Sequence, residues 1–129
     1  MSSSWERKTA SILRKYRVKY KTEFSPIPFR KFRLDFICYF GRYIAIEIDW
    51  LQHFTVKSKI YDYFRDKKIL KNSKVKKIYR VWYKNLEKKV ISIIKYERFI
   101  RNVRIMIIVL IIVWFIYLIN DLWKYMQKI

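Results

Sequence analysis

The sequence predicts a mixed α/β domain of the α+β class, followed by a C-terminal transmembrane helix. Residues 32–40 alternate between two faces as half-buried strands do, and residues 43–49 form a β-branched run with the same alternation. Apolar residues with helical spacing precede and follow these strands, and one apolar run near the C-terminus has no polar side. We therefore expect a folded domain at 1–97 and a basic juxtamembrane segment with a membrane tail at 98–129.

The predicted elements follow the order α, β, β, β, α, β, α. Ser4 is suited to cap a first helix that begins at Trp5. Pro26 and Pro28 interrupt regular structure after the first strand, because proline lacks a backbone donor. The remaining elements are strands at 18–24, 32–40, 43–49 and 76–82 and helices at 57–71 and 86–94.

The second and third strands meet at Gly41, the single glycine of the chain and its strongest turn signal. If the chain folds back at Gly41, Asp35 lies opposite Glu47, and Asp49 shares the side of Glu47. Directly opposed carboxylates repel each other, and a bound Mg²⁺ removes that repulsion. Two alternatives stay open: a solvated polar face, or a two-residue loop that places Asp35 and Glu47 on opposite faces.

The stretch FRLDFICYFGRYIAIEIDWLQHF at 32–54 resembles the core of the PD-(D/E)xK nuclease superfamily. It is most similar to the branch of small proteins related to very-short-patch-repair endonucleases. Two further pieces match this branch in order, YDYFRD at 61–66 and KIYRVWYKNL at 77–86. The resemblance covers about residues 4–95 and implies a restriction-endonuclease-like core sheet flanked by helices.

The resemblance also implies a metal site on the second and third strands. Asp35 and Glu47 would be its metal-binding acids, and the carbonyl of Ile48 would add a ligand. Asp49 stands where many members of the superfamily have a catalytic lysine and where this branch commonly has aspartate. Asp49 therefore belongs to the expected catalytic residues.

Three further residues take roles from the resemblance. His53 matches the histidine that acts as a base toward water or contacts phosphate. Glu6 matches an acid of the first helix that helps to organise the metal site, and Arg80 matches a strand arginine. The implied activity is Mg²⁺- or Mn²⁺-dependent hydrolysis of DNA phosphodiester bonds, in which the ion activates water.

The charge of the chain is strongly positive, with 30 Lys and Arg against 10 Asp and Glu and a net charge of +20. Such charge suits non-specific binding to DNA phosphates, and equally suits contacts with the anionic cytoplasmic leaflet. Two non-enzymatic alternatives stay open. One is an inactive nuclease fold that binds DNA or lipid, and the other is an accessory subunit of a membrane complex whose acids pair with surplus cations.

The scarcity of cysteine and glycine excludes several classes of site. One cysteine, Cys38, cannot form an intramolecular disulfide framework or a thiolate zinc site, and we expect it to be a small buried apolar residue. One glycine, Gly41, is too few for the glycine-rich loops that bind nucleotide phosphates.

Residues 105–119 form the unbroken apolar run, which extends about 22 Å as a helix. Residues 103–123 extend about 31 Å, which matches the ~30 Å hydrocarbon core of a bilayer. We expect the span at 105–123; the alternative is a buried helix of a soluble core. Basic residues are denser before the span than after it, which predicts a cytoplasmic N-terminal domain and a single-pass C-terminal anchor. Those before the span are Lys95, Arg98, Arg101 and Arg104, and those after it are Lys124 and Lys128.

Overall fold

The computed structural model describes residues 3–28, 31–49 and 55–129. The chain divides into two compact units, residues 1–95 and residues 96–129; the predicted boundary lay after residue 97. The first unit contains one four-stranded mixed sheet, and the predicted α+β class and order of elements are confirmed. The elements are α1 (Ser4–Lys15), β1 (Lys19–Phe24), β2 (Leu34–Tyr39), β3 (Tyr43–Asp49), α2 (Val56–Asn72), β4 (Val75–Trp82) and α3 (Leu86–Met126).

The first helix begins at Ser4, and its cap therefore lies one residue before the predicted cap at Ser4. Ser3 is the N-cap, and its side chain accepts a hydrogen bond from the backbone N–H of Glu6 at 3.1 Å. The Glu6 carboxylate in turn accepts from the backbone N–H of Ser3 at 3.0 Å. This capping box favours Ser3 because a glutamate stands three residues after it.

The sheet has the order β1-β2-β3-β4, with antiparallel β1–β2 and β2–β3 pairs and a parallel β3–β4 pair. The hairpin turns at Gly41, whose φ of 74° lies in the left-handed region that glycine enters without steric cost. Phe36 pairs with Ile46 and Tyr39 pairs with Tyr43, which confirms the predicted register about Gly41.

Helices cover both faces of the sheet. One apolar cluster joins α1 and the first turns of α3 to Phe36, Cys38 and the isoleucines of β3. A second cluster lies on the face of α2 and includes Leu34, Ile37 and Ile69. Leu34, which the sequence places on one face with Phe36 and Cys38, belongs to this second cluster, whereas Phe36 and Cys38 belong to the first. Burial raises the pKa of the Cys38 thiol to about 12.

A single helix, α3, replaces the two helices predicted at 86–94 and in the tail. It contains no glycine or proline to interrupt its backbone hydrogen bonds. Among the described residues it is the one helix long and apolar enough to cross a membrane. Side chains from 105 to 129 are exposed rather than buried by the rest of the described chain.

Candidate functional site

The two predicted metal-binding acids lie on adjacent strands of the sheet. The printed pairs of the hairpin end at Phe36 and Ile46, one residue before Asp35 and Glu47, and the two carboxylates are close enough for Asp35 to raise the pKa of Glu47. Oδ2 of Asp35 accepts a hydrogen bond from the backbone N–H of Ile48 at 2.8 Å. The N–H and C=O of a strand residue point toward the same neighbouring strand, so the Ile48 carbonyl also faces the Asp35 side.

Glu47 is held by two arginines from different elements. Its carboxylate is only 6% exposed. Nη2 of Arg65, on α2, donates a short hydrogen bond to Oε2 of Glu47. Nη1 of Arg80, on β4, lies 3.4 Å from the same oxygen, because the parallel register places Arg80 beside Glu47. The buried charge of Glu47 is thereby compensated, as a carboxylate removed from water requires.

Arg80 also contacts three further carboxylates. It binds Asp66 in a bidentate manner, with Nε to Oδ2 at 3.1 Å and Nη2 to Oδ1 at 3.0 Å. Nη1 of Arg80 donates to Oδ1 of Asp49 at 3.1 Å and lies 3.4 Å from Oδ2 of Asp62. Together these residues form the acid–arginine cluster, which comprises Asp35, Glu47, Asp49, Asp62, Arg65, Asp66 and Arg80.

Burial and neighbouring charge shift the ionisation of this cluster. Burial raises the pKa of Asp35, and the nearby carboxylates of Glu6 and Asp49 add to that shift against the hydrogen bond from Ile48. Burial likewise raises the pKa of Glu47, although Arg65 and Arg80 oppose it. Both acids are therefore easier to protonate than an exposed carboxyl group.

Burial shifts the pKa of the two arginines in the opposite direction to that of the acids. Burial by itself lowers the pKa of Arg65 and of Arg80, but the adjacent carboxylates of Glu47 and Asp66 together outweigh it and raise both. Both guanidiniums are thus firmly charged, and they fix the carboxylates that they contact.

The cluster is not neutral when all of its groups are ionised. Its seven residues supply five carboxylates and two guanidiniums, an excess of three negative charges within a chain of net charge +20. Among the described residues, no lysine or arginine lies within ion-pair distance of Asp35. The excess favours a cation at the Asp35 end of the cluster.

The donor chemistry of the acids suits a hard divalent cation. Every described hydrogen bond and ion pair of Glu47 uses Oε2, and that of Asp35 uses Oδ2. Oδ1 of Asp35 and Oε1 of Glu47 therefore take part in no described side-chain hydrogen bond or ion pair. Oxygen ligands of this kind are those of Mg²⁺ sites. Among residues 3–28, 31–49 and 55–129, no three His, Cys, Asp or Glu side chains form a group arranged to hold a metal.

Glu6 approaches the site from the side of α1. It lines a cavity of about 590 Å³ together with Asp35, Arg14, Thr22 and Arg33. Its carboxylate is already engaged in the capping box, so its influence on Asp35 is electrostatic. Asp35 is the acid of the cluster that lines this cavity.

Glu23 of β1 borders the same cavity as Asp35 of β2, and Arg80 of β4 pairs with Glu47 of β3. Glu23 has a φ of 47°, an uncommon conformation for a residue other than glycine, and such strain costs about 1–3 kcal/mol. Its carboxylate lies 3.9 Å from Nη1 of Arg33 in an exposed pair. The strain therefore occurs directly beside the candidate site.

The structure brings together most of the predicted site residues. Asp35, Glu47 and Asp49 lie at one end of the sheet, the backbone of Ile48 contacts Asp35, and Glu6 is nearby. His53 lies outside the described residues. No role was predicted for the α2 residues Asp62, Arg65 and Asp66, although their spacing of three and four positions places them on one helix face.

No family model, no curated protein and no solved structure matches the chain.

Proposed function

We propose that this chain is a membrane-anchored, metal-dependent nuclease of the PD-(D/E)xK type that hydrolyses DNA phosphodiester bonds. The observation that carries the proposal is the proximity of Asp35 and Glu47 on adjacent strands at one end of the sheet, each with one carboxylate oxygen not used by the described residues. The order of elements and the position of these acids on the second and third strands support a restriction-endonuclease-like core.

The chain's own residues have distinct tasks in such a site. Asp35 and Glu47 would hold the ion through Oδ1 and Oε1, with the Ile48 carbonyl beside them. A bound Mg²⁺ or Mn²⁺ supplies an activated water and offsets charge on the phosphate. Arg65 and Arg80 favour the ionised form of Glu47 against the effect of burial, and they hold its carboxylate in one orientation. Asp35 borders the cavity, where the phosphate would enter.

The test is cleavage of supercoiled plasmid by the full chain in detergent micelles with Mg²⁺ or Mn²⁺. Asp35→Asn keeps the size of the side chain and removes its charge, so we expect nicking to fall by at least about 100-fold. Binding of Mn²⁺ should decrease in the same variant. The binding is detected as the loss of the resonance signal of the free ion. Gel electrophoresis of the plasmid measures the first result and electron paramagnetic resonance the second.

Glu87→Gln is the matched control, since Glu87 is an exposed acid whose partner is Lys8 at 3.2 Å. This variant should cleave and bind Mn²⁺ like the unaltered chain. Equal nicking by Asp35→Asn, or no nicking by the unaltered chain with either metal, contradicts the proposal.

A second candidate is a nuclease fold without catalysis that binds DNA or anionic lipid. The observation that favours it is the occupation of Glu47 and Asp49 by Arg65 and Arg80, which already compensate part of the acidic charge. It predicts that the unaltered chain never cleaves DNA and binds no Mn²⁺. Binding to DNA would then persist with a steep salt dependence.

The membrane tether is part of the proposal. The exposed apolar side chains of α3 from 105 to 123 support insertion, and the basic residues before them support a cytoplasmic first unit. Residues with aromatic side chains near the end of the span, Trp123 and Tyr125, suit the membrane interface.

Labelling of single cysteines in intact cells with an impermeant maleimide tests the orientation. Gln127→Cys should react from outside, whereas Lys74→Cys should react only after the membrane is permeabilised. Native Cys38 should stay unlabelled, because it is buried and its pKa is raised to about 12. Reaction of Lys74→Cys in intact cells would show the opposite orientation. Recovery of the chain in the fraction without membranes would contradict the membrane tether.

A further inference from the structure

The sheet face covered by α2 is open at the end away from the acid–arginine cluster. There the two strands of the hairpin and β1 border a cavity of about 1010 Å³ beside the C-terminal end of α2. Ile37, part of the apolar cluster under α2, lines its inner side. We call this cavity the tyrosine–lysine groove, after Lys19, Lys21, Tyr39, Tyr43, Lys71 and Lys74.

Two tyrosines form the aromatic wall of the groove. Tyr39 and Tyr43 face each other across the hairpin, with ring centroids 5.2 Å apart and an angle of 54° between the rings. Such a cross-strand pair stabilises the hairpin by itself. However, the two residues remain 48% and 41% exposed, so a large part of each ring is available to a ligand.

Four exposed lysines surround these rings. Lys19 and Lys21 come from β1, where Lys19 pairs directly with Tyr39 in the sheet register. Lys71 and Lys74 come from the end of α2 and the turn after it. No Asp or Glu lines the groove, and among the described residues no carboxylate lies within ion-pair distance of these four lysines. The groove therefore presents uncompensated positive charge beside aromatic surface.

The ligand that matches this chemistry is a chain of planar rings linked by phosphates. We infer that the tyrosine–lysine groove binds single-stranded nucleic acid, with bases stacked on Tyr39 and Tyr43 and phosphates held by the lysines. Exposed aromatic rings flanked by cations are the usual means of binding a single strand without sequence preference.

Two other anionic partners fit the groove less well. A duplex keeps its bases stacked on each other inside the helix, so the tyrosine rings would gain no base to stack on. A membrane surface is broad and contacts protruding side chains, whereas these rings line a recess between β1, the hairpin and α2. The depth of the groove and its aromatic wall thus favour an unpaired strand.

This inference does not depend on the proposed hydrolysis. Tyr43 and Glu47 are separated by four residues along β3, which is about 13 Å in an extended strand. The groove and the acid–arginine cluster are therefore separate sites that different variants can remove. A variant of the groove should lose strand binding and keep metal binding, and a variant of the acid–arginine cluster should do the reverse. The two measurements therefore show which of the two proposals fails.

The experiment measures binding of a fluorescent 15-nucleotide oligo-dT to the full chain in zwitterionic detergent micelles, by anisotropy, with EDTA present. Stacking on exposed aromatic residues predicts a loss of about tenfold for Tyr39→Ala and for Tyr43→Ala. In the Lys71→Gln, Lys74→Gln double variant, the plot of log affinity against log salt should become less steep by about 1.4. Tyr39→Phe should keep its affinity, because stacking needs the ring and not the hydroxyl.

Tyr61→Ala is the matched control, since Tyr61 is 62% exposed on α2 and outside the groove. It should bind oligo-dT like the unaltered chain, and so should Asp35→Asn. The inference is overturned if the Tyr39→Ala, Tyr43→Ala double variant binds oligo-dT as tightly as the unaltered chain does. This outcome counts only when the near-ultraviolet circular dichroism of the variant is unchanged. Tighter binding of a 15-base-pair duplex overturns it too, as does a tyrosine effect seen only with phosphatidylserine vesicles.

Discussion

The two ends of one sheet face differ in whether their charged side chains form described ion pairs. Where α2 covers the sheet, the acid–arginine cluster pairs its charges, and Glu47 is only 6% exposed. Where α2 ends, Lys19, Lys21, Lys71 and Lys74 stay in water without a described acidic partner. The same strands supply both ends, so the covering helix, and not the strand sequence alone, decides which charges must be compensated.

The difference follows from desolvation. A carboxylate under a helix loses its hydration and requires a guanidinium or another cation nearby. A lysine at the edge of the helix keeps its hydration and needs no partner. The covered end is therefore rigid and specific in geometry, whereas the open end can accept an anion without breaking any existing ion pair.

Removal of Arg80 should have the largest effect on this comparison. Arg80→Met keeps much of the side-chain volume but leaves Glu47, Asp49, Asp62 and Asp66 without their shared guanidinium. We expect a loss of about 3–5 kcal/mol in the free energy of unfolding, as for other broken buried ion pairs. Denaturant unfolding of the full chain in micelles, followed by near-ultraviolet circular dichroism, measures it.

Lys21→Met supplies the matched control at the open end of the same face. Because Lys21 is exposed and has no described acidic partner, its replacement should change stability by no more than about 0.5 kcal/mol. Similar losses in the free energy of unfolding for Arg80→Met and Lys21→Met would show that the fold does not depend more on the charges at the covered end than on those at the open end.

The fold was largely predictable because alternation and turn chemistry agree along the hairpin. One glycine sets the register, and β-branched residues of β3 alternate with Glu47 and Asp49. The division of the apolar residues of β2 between two clusters was not predictable, because a strand buried on both faces has no polar side to mark its orientation. Nor did the sequence reveal that α3 continues through the predicted boundary, since only a helix breaker would mark an end.

The site was predictable only in its strand residues. The register about Gly41 relates Asp35 to Glu47 through local chemistry. The contribution of Arg65 and Arg80 depends on the packing of α2 and the parallel pairing of β4, which are contacts between distant parts of the chain. The tyrosine–lysine groove was missed for the same reason, because Lys71 and Lys74 come near Tyr39 only when α2 lies on the sheet.

The smallest expected effect concerns Asp35, the acid without a described cationic partner. Because its pKa is raised, mainly by burial, the folded chain binds its proton more readily than the unfolded chain. The stabilisation from this proton is complete below the ordinary pKa of 3.8 and is lost as the pH rises through the raised value. At neutral pH, the buried charge of Asp35 therefore opposes folding.

Asp35→Asn removes that charge and keeps an oxygen that can accept the N–H of Ile48. In EDTA at pH 7.5 the variant should be more stable than the unaltered chain by about 0.5–2 kcal/mol, the usual gain when a strained functional group is replaced. The gain should shrink as the pH falls through the raised pKa and be smallest below the ordinary pKa of 3.8, where Asp35 is protonated in both states. Thermal unfolding across this pH range measures it, with Glu87→Gln as the control that shows no such trend. A loss of stability at pH 7.5 would mean that the fold itself requires the Asp35 charge, and the contrast between a compensated and an uncompensated acid at the covered end would then disappear.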